Sequence, residues 1–357
     1  MKIEDLPKDL VASVRRGVVI PAHPLALNAR RQLDERRQKA LTRYYVDAGA
    51  GGLAVGVHTT QFEIRQPRYG LYKPVLRLAS ETIDCHARRG QPFVKIAGIC
   101  GKTRQAVGEA ALAVETGYHA GLLSLAAMAT EPLPKMIAHC RAVSQVIPLV
   151  GFYLQPSVGG CVLPYEFWCR FAEIENVLAI KMAPFNRYQT FDVLRAVCEA
   201  GREKDIALYT GNDDHIVLDL LTEHRIKTSR GTKSVRIVGG LLGHWACWTR
   251  KAVEQLDQIH RIVEGKRPIP IEVLTRAVEV TDANAAFFDS ANSYKGCIAG
   301  IHEVLRMVGL LKGIWCLNPH ERLSPGQAAE IRRVFKSYPH LSDADFVNKN
   351  IHKWLAD

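Results

Sequence analysis

The sequence predicts an α/β fold: a closed parallel barrel of eight strands alternating with helices, the (β/α)8 TIM barrel, followed by a helical C-terminal extension. Three observations carry this. Short apolar runs recur along the first two thirds of the chain, and each is separated from the next by a segment of helical spacing. The first three helical segments close on glycine, at Gly49, Gly90 and Gly117, the residue that stops a helix at least cost. Beyond about residue 243 the strand signal gives way to helical periodicity alone.

Taken in order, residues 17–20 form a first strand closed by Pro21, and 34–48 a helix ended by Gly49. Residues 52–56 form the second strand, with the polar loop 57–61 after it, and a helix covers about 74–89. The third strand is 93–97, followed by Gly98-Ile-Cys-Gly101 and a helix opening at Thr103; 120–124 is the fourth. Helix 132–145 leads to the fifth strand, which carries Tyr153, and helix 164–174 to the sixth, which carries Lys181. Helix 188–200, strand 206–209 and helix 215–223 come next. A basic insert, 224–233, precedes an eighth strand at 235–238, with Gly239-Gly-Leu-Leu-Gly243 after it. Helices at 244–264, 271–288, 297–311 and 324–336 complete the chain, broken by Pro268-Ile-Pro270. The organisation expected is therefore an N-terminal extension (1–16), a barrel (17–243) and a helical region (244–357).

The 357 residues are 47% hydrophobic and 23% charged, the balance of a globular chain with a large core. Nine cysteines show neither a Cys-x-x-Cys pair nor regular spacing, so neither a zinc site nor a disulfide framework is indicated. His139-Cys140 and Cys85-His86 have no companion at ligand spacing. No run is long enough to span a bilayer and residues 1–16 contain no apolar leader segment, so the expected setting is reducing and cytoplasmic, without a membrane partner. A net charge of +11 invites a nucleic-acid reading, but Lys and Arg are scattered among acids without interleaved aromatics. The same field serves an anionic metabolite. Gly49-Ala-Gly-Gly-Leu-Ala54 fits a dinucleotide pattern, yet it precedes its strand, leaving the phosphate no helix N-terminus.

The chemistry centres on Lys181. The run Val177-Leu-Ala-Ile180 has the composition of a strand buried on both faces, and it ends in an ammonium. Burial disfavours the charged form, lowers the pKa and frees the amine to attack a ketone. Tyr153 ends the preceding apolar run, so two neighbouring parallel strands would bring a phenol beside the amine to move protons. The alternative for Lys181 taken alone is a strand-end salt bridge. Asp213-Asp214 reads better as an N-cap for the helix at His215 than as paired carboxylates. Trp245 and Trp248 read as packing for the helical extension.

These residues, in this order, resemble the dihydrodipicolinate synthase and N-acetylneuraminate lyase superfamily from about Gly17 to Glu330. Gly151-Phe-Tyr153 with Pro156 resembles the family's tyrosine strand, and Ala179-Ile-Lys181 its Schiff-base lysine strand. Val94-Lys-Ile-Ala-Gly98, Gly211-Asn-Asp213, Gly240-Leu-Leu-Gly243 and the segment 292–309 match its other landmarks. The resemblance implies a class I aldolase or hydro-lyase that binds pyruvate or a 2-keto acid as an imine on Lys181, with Tyr153 as proton shuttle, no cofactor, and a homodimeric or homotetrameric assembly.

The departures are specific. The family's second strand usually ends in Gly-Thr-Thr-Gly-Glu, which holds the keto acid's carboxylate; here it is Gly56-Val-His-Thr-Thr-Gln61. Either Thr59 and Thr60 take that role after a two-residue slip, or Val57 and His58 occupy the places directly. His58 is also placed to assist proton transfer. Gln155, Asn212 and Leu242, at the ends of later strands, are further substrate-contact positions. Val158 stands where true dihydrodipicolinate synthases carry an arginine for the second substrate's carboxylate, and residues 124–128 lack their inter-subunit tyrosine. The expectation is a lyase of this superfamily other than the lysine-biosynthesis enzyme, or else a barrel with altered catalysis acting as a small-molecule-binding or regulatory protein.

Overall fold

The computed structural model describes residues 1–87 and 90–356. The first seven strands are β1 (Val19–Pro21), β2 (Gly52–Val55), β3 (Val94–Ile99), β4 (Ala120–Leu123), β5 (Leu149–Leu154), β6 (Val177–Ala183) and β7 (Ala207–Thr210). An antiparallel hairpin follows, β8 (Glu223–Thr228) and β9 (Gly231–Arg236), and then β10 (Gly239–Leu242). Eight of these strands form one parallel sheet in the order β1-β10-β7-β6-β5-β4-β3-β2. It closes where β1 meets β2: Ala22 bridges Ala54, and the His23 N–H donates to the Ala54 carbonyl at 2.8 Å. The (β/α)8 barrel expected from the sequence is the architecture found.

The helices up to the hairpin are α1 (Lys8–Arg16), α2 (Glu35–Asp47), α3 (Tyr72–His86), α4 (Thr103–Glu115), α5 (Leu133–Ser144), α6 (Tyr165–Ala172), α7 (Arg187–Glu199) and α8 (Ile216–Leu221). After the barrel come α9 (Thr249–Glu264), α10 (Ile271–Phe287), α11 (Cys297–Met307), α12 (Gln327–Ser337) and α13 (Ala344–Trp354). The expected end of the third helix at Arg89 lies outside the described residues. Side-chain caps fix two starts: Asp34 accepts from the Arg37 N–H, and Asn186 from those of Tyr188 and Gln189. Helix α13, absent from the sequence reading, docks on α2 through Trp354 Nε1 to Asp47 Oδ2 at 2.7 Å.

The eighth barrel strand is not where the sequence put it. Val235 and Arg236 belong to the hairpin, and the strand is Gly239–Leu242. Val-Arg-Ile-Val has the higher β-propensity, but tertiary crowding decides. A Cβ on Gly239 would sit 2.7 Å from the Val18 carbonyl oxygen, and one on Gly240 would sit 2.6 Å from the Trp245 ring. The strand that fits between β1 and β7 must be glycine-rich.

Two apolar layers result. Ile20, Ile96, Leu122, Val150, Leu178 and Leu241 fill the barrel interior, and Leu6, Leu10 and Val14 of the N-terminal segment join the same cluster. Outward residues such as Leu53, Ile99, Ile180 and Met182 pack beneath the helices. One buried ion pair ties strand ends together. Arg65 Nε donates to Glu109 Oε1 and Oε2 at 3.1 and 3.0 Å, and its Nη2 to the carbonyls of Gly56 and Gly98 at 3.0 and 2.8 Å. Both side chains are nearly inaccessible, and Arg65 lies over the Tyr72 ring at 4.3 Å. Removing one partner strands a buried charge. Glu109→Gln is expected to cost about 3–5 kcal/mol in denaturant unfolding, whereas Glu166→Gln, which breaks the exposed pair with Arg170, stays within about 1 kcal/mol.

Candidate active site

At the C-terminal end of the strands, where barrel enzymes keep their chemistry, a cavity of about 60 Å³ opens onto Lys181. Its walls include Val57, His58, Thr59, Phe152, Gln155 and Asp213. Lys181 points inward from β6 because it keeps the parity of the interior residues Ala179 and Ala183. Gly211 makes room for it: a Cβ there would stand 2.6 Å from Lys181 Cε. Burial lowers the Lys181 pKa to about 8, with the Asp213 charge opposing the shift. Asp213 moves the other way, pushed up to about 7 by burial against the pull of Lys181. The strand-end salt bridge weighed for Lys181 is not formed among the described residues, and the carboxylate facing it, Asp213, is itself buried and easily protonated. Lys95, by contrast, bonds Asp84 at 2.8 Å and Ser80 at 2.9 Å.

Tyr153 is not beside the amine. In the β5–β6 register Phe152 pairs with Lys181, and its ring centroid lies 4.6 Å from the Nζ. Tyr153, one residue on, faces the helix layer, where its ring packs on Trp168 with centroids 5.4 Å apart. Its hydroxyl accepts the Leu163 N–H at 3.3 Å, and burial raises its pKa. The period of two along a strand sends neighbours to opposite faces.

The loop after β2 divides its candidates. Thr60 Oγ1 donates to the His23 carbonyl at 2.6 Å and accepts the Gly56 and Val57 N–H groups, so it braces the loop from outside the cavity. Thr59 lines the cavity, and its buried hydroxyl has no partner among the described residues. Val57 and His58 line it too; burial and the Lys181 charge bring the His58 pKa down to about 4, leaving a neutral ring. Gln155 is at the wall beside Tyr294.

Two other candidates serve the scaffold. The Asn212 amide is fully used: Oδ1 accepts the Phe185 N–H at 3.1 Å, and Nδ2 donates to Thr190 and Asp219. The Leu242 side chain packs outward and its carbonyl accepts the Ala22 N–H. Neither side chain reaches the cavity. Asp213 does not cap α8, as the sequence suggested: the helix begins at Ile216 with His215 in the cap position, and Asp213 lines the cavity with Lys181 while accepting the His244 N–H at 3.4 Å. Phe152, Phe185, Phe288, Tyr294 and Cys297 were missed. Only Phe152 carried a usable signal, its parity with Val150 and Leu154. Trp245 and Trp248 are buried packing residues, as expected. A separate cavity of about 270 Å³, between α9 and His340, does not reach Lys181. Among the described residues no cluster of three or more His, Cys, Asp or Glu could hold a metal ion, and no helix is long and apolar enough to cross a membrane.

A parallel (β/α)8 barrel with a buried lysine at the C-terminal end of its strands is the class defined by this fold and site. The model of the dihydrodipicolinate synthetase family matches residues 16–223, and the chain belongs to that family, whose fold is that of class I pyruvate-dependent aldolase-type lyases. Among solved structures, dihydrodipicolinate synthase from Oceanobacillus iheyensis is similar at 16% identity and a TM-score of 0.71, over 93% of this chain and all of that one. YagE from Escherichia coli K12, solved in complex with pyruvate, matches at 16% and 0.71, over 90% of this chain and 98% of that one. CdNal from Clostridium difficile, in complex with mannosamine, matches at 14% and 0.68, over 90% and 99%. No curated protein matches the sequence.

The pair of opposed shifts has a readable consequence. Acylation of Lys181 by a small reagent should rise with pH around a midpoint near 8, well below ordinary lysines at about 10.4. The Asp213 carboxylate favours the ammonium, so Asp213→Asn should move that midpoint lower. Competitive labelling with mass readout checks both; a midpoint that rises or holds still contradicts the pairing.

Proposed function

We propose that the protein is a Schiff-base lyase, an aldolase or dehydratase acting on pyruvate or a related 2-keto acid, with Lys181 as nucleophile. The observation that carries this is a buried amine of lowered pKa facing a single carboxylate in the barrel mouth. The free amine attacks the C2 carbonyl, water leaves, and the protonated imine withdraws electrons from the bond to be broken or made. The Thr59 hydroxyl and the backbone N–H groups of His58 and Thr59 hold the substrate carboxylate, the Val57 N–H being taken by Thr60 Oγ1. The proton-carrying role, first given to Tyr153, passes to Asp213, whose carboxyl is half-protonated near pH 7 and suits both directions of transfer. Tyr153 instead fixes β5 against α6. Family members are typically oligomers, and we extend a homodimer or homotetramer to this chain.

The second reading, a barrel that binds a keto compound without turning it over, is favoured by Phe152, which puts no hydroxyl beside the amine. Borohydride reduction in the presence of pyruvate is expected to leave a mass adduct on Lys181 that Lys181→Ala abolishes. An adduct persisting on Lys95 would overturn the assignment, and no adduct with any 2-keto acid would favour the binding protein. Turnover distinguishes the proton carriers. Asp213→Asn should lower kcat by roughly 10²–10⁴, while Tyr153→Phe stays within a few-fold. The reverse ranking would return the role to the phenol.

A further inference from the structure

Beside the Lys181 cavity lies a second chamber of about 110 Å³, which shares Phe185, Asp213, Phe288 and Tyr294 with it as walls. Its chemistry is lopsided. Among the described residues Lys181 is the only cation lining either space, whereas Asp213 and Asp214 both face the second. A carboxylate arriving as part of an aldol partner would find no guanidinium and two acids. A polyhydroxylated chain would find few donors: the Asn284 amide nitrogen is used by the Asp213 carbonyl at 2.6 Å, Thr281 Oγ1 donates to the Asp214 carbonyl at 3.0 Å, and Ser290 Oγ to the Ala285 carbonyl at 3.4 Å, which leaves mainly acceptors, the two carboxylates and Asn284 Oδ1. The largest side chains of the wall are aromatic: Phe185, Phe288 and Tyr294.

That surface is held at a conformational cost. Phe185 has φ +51° and Tyr294 φ +65°, a region that bulky residues seldom occupy. Their rings meet edge to face, with centroids 5.7 Å apart and planes at 70°. Polar groups pin both backbones: the Phe185 N–H bonds Asn212 Oδ1 at 3.1 Å, and the Tyr294 N–H bonds the Asp289 carbonyl at 3.0 Å. Strain maintained by hydrogen bonds at a cavity wall is the pattern expected of a functional surface.

We propose that this chamber receives an uncharged aromatic aldehyde as the aldol partner or leaving fragment. The proposal rests on the Schiff-base reading of Lys181. The enamine carbon of the Lys181-bound keto acid attacks the aldehyde carbon, forming one carbon–carbon bond. The aldehyde oxygen takes a proton from the Asp213 carboxyl, and water then hydrolyses the imine. The product is a 4-hydroxy-2-oxo acid with the aryl group on C4, and the amine is regenerated.

The test has two stages that fail separately. Borohydride trapping with pyruvate alone examines Lys181; its failure sinks the underlying reading. With that adduct in hand, pyruvate is offered benzaldehyde, glyceraldehyde or succinic semialdehyde, and the aldol product is quantified. Benzaldehyde is expected to lead in kcat/KM by at least about tenfold, the worth of burying an aromatic ring. Phe288→Ala should cut the benzaldehyde-to-glyceraldehyde ratio by about tenfold or more. Val158→Arg, adding a guanidinium at the mouth, should raise succinic semialdehyde relative to benzaldehyde. Equal or greater use of the anionic or polyhydroxylated aldehyde by the unmodified protein overturns the proposal, as does a Phe288→Ala variant with an unchanged ratio. Should that variant not fold, the unmodified panel and Val158→Arg decide.

Discussion

Everything distinctive in this barrel follows from placing one lysine amine where water cannot solvate it fully. An ammonium near the C-terminal end of β6, two residues before Ala183, is tolerated because Asp213 opposes it and the Phe152 ring lies beside it. Neither compensation is strong enough to restore an ordinary pKa. The cost is kept within the fold by the surroundings: Gly211 clears the path of the side chain, and the Arg65–Glu109 pair ties the end of β3 to Gly56, next to the loop residues 57–59 that line the cavity. A site of this kind is a compromise between a stable charge and a usable amine.

The extension beyond the barrel belongs to the same compromise. Phe288 and Tyr294, both past the last barrel strand, roof the cavity that the strands leave open. Asp289 organises the turn between them: its carboxylate accepts from Asn292 Nδ2, the Gly296 N–H and the Ser324 hydroxyl. Residues more than a hundred positions from Lys181 in sequence thus set the polarity of its surroundings.

The fold and the lysine were legible in the sequence because each rests on local signals: apolar runs, glycine stops, an ammonium ending a buried strand. What misled was whatever depends on parity or neighbours. Tyr153 looked like the interior phenol, yet Phe152 holds the interior register, and a shift of one residue exchanges the faces. Val235-Arg-Ile-Val238 looked more strand-like than Gly239–Leu242, but the glycine requirement comes from Val18, Tyr209 and Trp245, none of them adjacent in sequence. Asp213 looked like a cap because the true start of α8, two or three residues later, is weakly marked. Asn212 and Leu242 stand beside the cavity in sequence while their bonds and packing lie elsewhere.

The N-terminal segment closes the other end of the barrel. Leu6, Leu10 and Val14 enter the interior cluster, the Ile3 N–H donates to Asn176 Oδ1 at 3.0 Å, and the Tyr209 hydroxyl donates to the Val14 carbonyl at 2.8 Å. These partners lie more than 170 residues later in the chain, among the contacts of longest loop closure. On a ribosome, α1 therefore waits, its apolar face uncovered, until β6 and β7 have emerged. A helix made before every barrel strand thus docks only once β6 and β7 are present, and chaperone demand during synthesis should concentrate on that interval.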